Sequence, residues 1–128
     1  MIKTFGPNNL TPSKLCFGTM QFGDGASAKD SEEMYLKCRE NEVNFFDTAY
    51  VYTKGLSEKI LGKLIKEERE KLLIVTKAGS QGGADPDNLR NQLEESLNRL
   101  GQDYVDICLL YTSPSPRDFV RSRMPSSA

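Results

Sequence analysis

Two hydrophobic periods alternate along the chain. Apolar runs at residues 15–20, 43–47, 72–77 and from Tyr104 have the length of strands. Between them, apolar residues recur every three or four positions, the period of a helix facing a core. Residues 1–13 precede the first run and read as a hairpin. Ile2-Lys3-Thr4-Phe5 alternates, Gly6-Pro7-Asn8-Asn9 turns and Leu10 begins the return.

The helical segments carry their own start and stop signals. Asp30 with Glu33 has capping-box-like spacing, with Met34, Tyr35 and Cys38 as the apolar stripe and an end near Asn41. Ser57 is placed to cap a second helix with inner face Ile60, Leu61, Leu64 and Ile65; the charged run 66–71 reads as its solvated end. Asp85-Pro86 reads as an N-cap followed by proline at the first helical position. Leu89, Leu93, Leu97 and Leu100 form the stripe and Gly101 the stop.

The order is a hairpin, three strand–helix pairs and a strand, an α/β pattern with parallel strands and helices packed outside. Right-handed crossovers admit an open doubly wound sheet or part of a barrel. The open sheet would be favoured by a Gly-x-Gly-x-x-Gly loop after the first strand. Phe22-Gly23-Asp24-Gly25 does not supply it, and the glycines at 79–83 follow the third strand with the wrong spacing. The barrel segment is the preferred reading, although 128 residues fall short of the ~250 of a closed barrel.

Composition narrows the function classes. The chain is 38% hydrophobic and 27% charged with net charge −1, and it has no basic run to attract nucleic acid. No apolar stretch approaches the ~20 residues that span a bilayer, and the N-terminus lacks a signal-peptide pattern. The three cysteines, Cys16, Cys38 and Cys108, have no metal-ligand spacing; Cys16 and Cys38 read as reduced packing residues of a cytoplasmic protein. There is no histidine.

Chemistry concentrates at two strand ends. Asp47 and Lys77 each close an apolar run, and Tyr52 follows Asp47 by five residues in the loop. In a barrel of alternating strands and helices, the C-terminal strand ends form the reactive face. A carboxylate, a phenol and an ammonium gathered there make a proton-donating site. Taken singly, a strand-end lysine or aspartate is more often a solvated terminus or an ordinary ion pair, and Tyr52 or Tyr50 a rim tyrosine. Gly82-Gly83 reads as a mobile loop before a phosphate cradle.

Together the residues resemble the aldo-keto reductases. Phe17-Gly18-Thr19-Met20-Gln21-Phe22-Gly23, Asn44-Phe45-Phe46-Asp47-Thr48-Ala49-x-x-Tyr52, Gly55-Leu56-Ser57-Glu58-x-x-Leu61-Gly62 and Val75-Thr76-Lys77 carry the resemblance. Ser96-Leu97-Asn98-Arg99-Leu100 followed by Asp103-Tyr104-Val105-Asp106 extends it to about residue 107. The resemblance implies the N-terminal half of a TIM-type (β/α)8 barrel, with the hairpin closing its base. It also implies NADPH across the C-terminal face, with NADH not excluded, and a small aldehyde or ketone as substrate. Tyr52 would be the general acid, with Lys77 and Asp47 completing the catalytic set. Gly18, Thr19, Met20 and Asp47 would contact the cofactor. A free phenol near pKa ~10 is a poor acid at neutral pH, and a neighbouring ammonium lowers it. A non-catalytic, cofactor-sensing or channel-regulatory member of the same fold is the alternative.

The tail departs from that pattern. The family's fourth catalytic group is a histidine whose register falls on position 110 or 111, where this chain has Leu110 and Tyr111. Residues 108–118 resemble a translated sequencing-adapter end. After an index-sized gap, residues 122–128 resemble a flow-cell primer in the same frame; the rival reading is a Ser/Pro-rich disordered tail. The expectation is therefore a partial reductase domain over residues 1–107 and an artefactual or disordered tail over 108–128. Such a chain would be truncated after its fourth strand and inactive alone.

Overall fold

Phe17 stands opposite Phe46, and Phe46 opposite Ile74, across three adjacent parallel strands. This register stacks the apolar residues of one sheet face into a single layer, because side chains alternate faces along a strand. The computed structural model describes residues 3–110. Its strands are β1 (Phe17–Gly18), β2 (Phe45–Asp47), β3 (Leu73–Ala78) and β4 (Ile107–Leu110). They alternate with helices α1 (Ala28–Glu40), α2 (Leu56–Ile65) and α3 (Pro86–Leu100). The spatial order β1-β2-β3-β4 follows the chain order and every pairing is parallel. Without an order reversal the sheet has no switch point, which argues against a doubly wound sheet over these strands.

The core lies between the sheet and the helices. Phe22, Tyr35, Phe46, Leu61, Ile74 and Leu100 belong to one buried cluster. Gly62 brings α2 against α3: a Cβ at this position would lie 2.5 Å from the Leu100 carbonyl oxygen. Any side chain would push the helices apart, so glycine is required for this approach.

Several boundaries differ from the sequence expectation. The capping box of α1 is Ser27 with Asp30, three residues upstream of the expected pair. The Ser27 hydroxyl accepts from the Asp30 backbone, and the Asp30 carboxylate accepts from Ser27 N–H. Helix α2 is capped by Gly55 with φ 97°, not by Ser57. In α3 the Asp85 cap, Pro86 and the left-handed Gly101 stand as expected. Of the leucine stripe only Leu100 is fully buried, and the other buried residues, Gln92 and Ser96, each stand one position before a stripe leucine. Leu89 and Leu93 instead line a groove with Cys108 and Leu110 of β4. The fourth strand begins at Ile107 rather than Tyr104, and the Asp106 side chain just before it is engaged by Arg69.

That engagement changes the reading of the charged run. Residues Lys66–Lys71 form a 3₁₀ segment whose Arg69 is buried rather than solvated. Arg69 pairs with Asp106 at 2.8 Å, donates to the Leu72 carbonyl and stacks on Tyr104 at 4.0 Å. Asp106 also accepts from the Ile74 N–H at 2.9 Å and donates its own N–H to the Ile74 carbonyl at 3.0 Å. Glu68 reaches back to α1, accepting two bonds from Arg39 and one from the Tyr35 hydroxyl. Of the expected hairpin, residues 1–2 lie outside the described residues. Phe5 and Leu10 exchange backbone hydrogen bonds at 2.9 and 3.1 Å as an antiparallel bridge. Asn44 then ties residues 11–13 to the start of β2, since its side chain bonds Ser13 N–H and the Thr11 carbonyl. These tethers lie at the N-terminal ends of β2 and β3, away from Asp47 and Lys77.

Candidate active site

The register that stacks Phe46 and Ile74 in the core sends Asp47 and Lys77 to the opposite face. Lys77 sits two residues beyond Val75, the pairing partner of Asp47. This stagger matches the reach of a lysine stem. The Lys77 ammonium donates to the Asp47 carboxylate, to the Thr48 carbonyl at 2.9 Å and to the Tyr52 hydroxyl at 3.1 Å. It also lies 4.7 Å from the Tyr52 ring centre. The three chemistry-bearing residues singled out from the sequence are thus brought together.

The pair is half-screened from water. The Lys77 side chain is 14% exposed and that of Asp47 is 30% exposed. Burial works against the Lys77 charge, but the hydrogen bonds to Asp47 and then Tyr52 outweigh it and raise its pKa above the ordinary lysine value. The ammonium stays charged at neutral pH and available as a donor.

Tyr52 stands on a loop with unusual backbone. Thr53 and Lys54 have φ 47° and 55°, in the left-handed region that a β-branched residue rarely adopts. Such conformations cost on the order of 1–3 kcal/mol each and persist where neighbours over-determine them. Here the Thr53 hydroxyl bonds the Phe22 carbonyl at 2.8 Å and accepts from Ser57 N–H at 2.8 Å. Thr53 therefore does the capping expected of Ser57. The Ser57 hydroxyl is buried instead, 2.8 Å from the Thr19 hydroxyl and 2.9 Å from that of Thr48.

The residues expected to meet a cofactor divide in two. Gly18 and Met20 are exposed beside Asp47, and a Cβ at Gly18 would meet open space. Thr19 is fully buried, with its hydroxyl bonded to the Asp47 carbonyl and Ser57. Its side chain lies beneath the face, where it shapes the ends of β1 and β2. Cys16, expected as a packing residue, is exposed. Its thiol pKa is pushed up by desolvation and then by the Asp47 carboxylate, with Lys77 acting oppositely. The loop after β3 is clamped rather than loose. Gln92 bonds Gly79 N–H and the Gln81 carbonyl, and Asn88 bonds the carbonyls of Gln81 and Gly83. Position 111, one of the two where the family histidine would fall, lies outside the described residues. Leu110 ends β4.

Sequence reasoning passed over Ser57, Glu58 and Arg99 as members of this assembly. The signal for Ser57 was present, since Ser57, Leu61 and Ile65 follow one another at helical spacing on the buried side of α2. The Glu58–Arg99 pair spans 41 residues and left no local trace. Among the described residues no His/Cys/Asp/Glu group has metal-holding geometry, and no helix is long and apolar enough to cross a membrane.

Residues 14–115 match the Aldo/keto reductase family. A probable voltage-gated potassium channel subunit beta from Arabidopsis thaliana is 37% identical over 115 residues, covering 82% of this chain and 35% of that protein. The uncharacterized oxidoreductase YrpG of Bacillus subtilis is 32% identical over 121 residues, covering 80% of this chain and 37% of that protein. The aldo-keto reductase AKR11C1 from Bacillus halodurans, solved in its holo form, superposes with TM-score 0.72 at 30% identity. That match covers 92% of this chain and 43% of the solved one. The chain spans about a third of the length of these curated relatives and under half of the solved structure. On the family match and the shared α/β architecture, this chain belongs to the aldo/keto reductase family.

Proposed function

We propose that the chain carries the proton-donating side of an NAD(P)H-dependent reductase of aldehydes or ketones, on the N-terminal half of a (β/α)8 barrel. The observation that carries this reading is the Lys77 ammonium bonded at once to Asp47, the Thr48 carbonyl and the Tyr52 hydroxyl. A carbonyl oxygen held at Tyr52 receives the phenolic proton as negative charge develops on it. Lys77, 3.1 Å from that hydroxyl, stabilises the phenolate left behind. Asp47 and the Thr48 carbonyl hold the ammonium in place, so the site needs little rearrangement during reaction.

The residues present suit the nicotinamide end of the cofactor. Open space over Gly18 admits a flat ring beside Asp47 and Met20, and the bound group supplies the hydride. Thr19 supports this floor through the Asp47 carbonyl. NADPH rather than NADH rests on the family alone.

The proposal extends to the chain as it stands. Among the described residues β1 and β4 are each paired on one side only, so these four strands do not close a barrel. The 128-residue chain is therefore expected not to turn over by itself. Carbonyl-dependent NADPH oxidation by purified monomeric chain would overturn that part.

A second reading is a cofactor sensor that regulates a channel, favoured by the name of the Arabidopsis thaliana relative. The intact Asp47, Tyr52 and Lys77 set supports the enzyme over the sensor. Turnover by the whole protein separates them, because a sensor would bind NADPH without consuming it on addition of an aldehyde.

A further inference from the structure

Helix α3 sends one side chain toward both halves of the Tyr52–Lys77 pair. The Arg99 guanidinium donates through one nitrogen to the Tyr50 carbonyl at 2.7 Å and to the Glu58 carboxylate at 2.9 Å. Its second terminal nitrogen meets Glu95 at 2.6 Å, and the guanidinium plane lies 4.3 Å from the centre of the Tyr50 ring. The Tyr50 hydroxyl closes this ring of contacts by donating to Glu95 at 3.2 Å. Arg99 also abuts the other end of the loop, where a Cβ on Gly55 would come within 2.7 Å of the guanidinium carbon. Both ends of the segment that holds Tyr52 therefore rest on Arg99.

The second branch runs to the lysine. Glu58 is wholly buried, and its other carboxylate oxygen accepts from the Thr76 hydroxyl at 2.6 Å. Thr76 immediately precedes Lys77. The strand and loop meet again where Tyr50 N–H donates to the Lys77 carbonyl at 3.0 Å. A buried Arg–Glu pair brings little net stability over an apolar pair of equal volume, because two charges must be desolvated. Its geometry is more constraining: one planar nitrogen holds the Tyr50 carbonyl and the Glu58 carboxylate while the second holds Glu95, fixed directions that a lysine point charge does not supply.

We propose that Arg99, acting with Glu58, is a positioning residue that sets the Tyr52 hydroxyl against the Lys77 ammonium. This rests on the reading of Tyr52 and Lys77 as the proton-donating pair. A shift of about 1 Å at such a pair costs a rate on the order of 10²-fold, so the indexing bears on chemistry as well as on folding.

The test uses the full chain labelled with 3-fluorotyrosine and observed by fluorine NMR. The Tyr52 line is identified by its loss in Tyr52→Phe, and its dependence on the ammonium by its displacement in Lys77→Met. In Arg99→Ala and Arg99→Lys the Tyr52 line is expected to move by more than its width or to split. Glu68→Gln breaks the distant Tyr35–Arg39 network, and is expected to lower Tm yet leave the Tyr52 line in place. Circular dichroism reports folding, and if Arg99→Ala does not fold, Arg99→Lys decides alone. A Tyr52 line unmoved in a folded Arg99 variant whose Tyr50 line has shifted would overturn the proposal. The readout requires no turnover, so a whole protein that binds NADPH without aldehyde-dependent oxidation would refute the enzyme reading and leave this result standing.

Discussion

The Lys77 ammonium approaches the Tyr52 hydroxyl to 3.1 Å from a strand 25 residues further along the chain. Two independent elements thus converge on one pair, the strand β3 and the loop leaving β2. Neither residue makes the site alone. In the proposed reaction the phenol would supply a proton, and the ammonium, held by Asp47, would stabilise the negative charge left on the phenolate oxygen.

Lys77→Met keeps the stem and removes that charge. In the whole protein, kcat for aldehyde reduction is expected to fall on the order of 10²-fold or more, the usual scale for losing an acid–base partner. NADPH affinity measured by fluorescence titration should change far less. Equal losses in both would assign Lys77 to binding.

Ser57→Ala removes a buried hydroxyl shared by Thr19, Thr48 and the Thr19 carbonyl. Leaving buried groups without a partner costs about 1–3 kcal/mol. Urea unfolding of the chain should show a lower midpoint with an unchanged slope. An unchanged midpoint would mean that water or a rotated threonine replaces the hydroxyl.

Gly62→Ala places a methyl group against the backbone of Leu100, with no flexible side chain to yield. Overpacking of this kind costs typically about 1–3 kcal/mol. The same substitution on an exposed helix face would be stabilising because alanine favours the helix. A thermal midpoint at or above that of the wild type would show that α2 and α3 are not in contact as described.

Acid stability should pass through Glu68. The hydrogen bond from Arg39 lowers the Glu68 pKa below its ordinary 4.5, against the opposing effect of burial. A carboxyl with a depressed folded-state pKa contributes stability above its unfolded value and loses it as pH falls through the folded one. Wild type should therefore exceed Glu68→Gln in Tm at pH 7, and the gap should narrow steadily below about pH 4.5. A gap independent of pH would remove Glu68 from the acid limb.

Much of this arrangement was legible because it is local. Asp85, Pro86 and Gly101 marked the ends of α3 through capping chemistry within a few residues, and Asp47 and Lys77 stood out as polar residues closing apolar runs. The misses share a different cause. Arg69 read as part of a solvated run because its partner, Asp106, is 37 residues away. Thr53 and Lys54 gave no sign of left-handed backbone, since the Thr53 hydroxyl is held by donating to the Phe22 carbonyl, 31 residues away. Gln92 takes a place on the most buried line of α3 because the loop after β3 needs its amide. Tertiary demand for polar groups, invisible to periodicity, decided each case.

The most direct measurement is steady-state NADPH oxidation with an aldehyde, comparing Tyr52→Phe with wild type in the whole protein. Wild type should oxidise NADPH only when aldehyde is added. Tyr52→Phe should bind NADPH equally well while losing about 10²–10⁴-fold in kcat. Turnover by Tyr52→Phe at the wild-type rate, or tight NADPH binding without any aldehyde-dependent oxidation by wild type, would contradict the assignment of Tyr52 and Lys77 as a proton-donating pair.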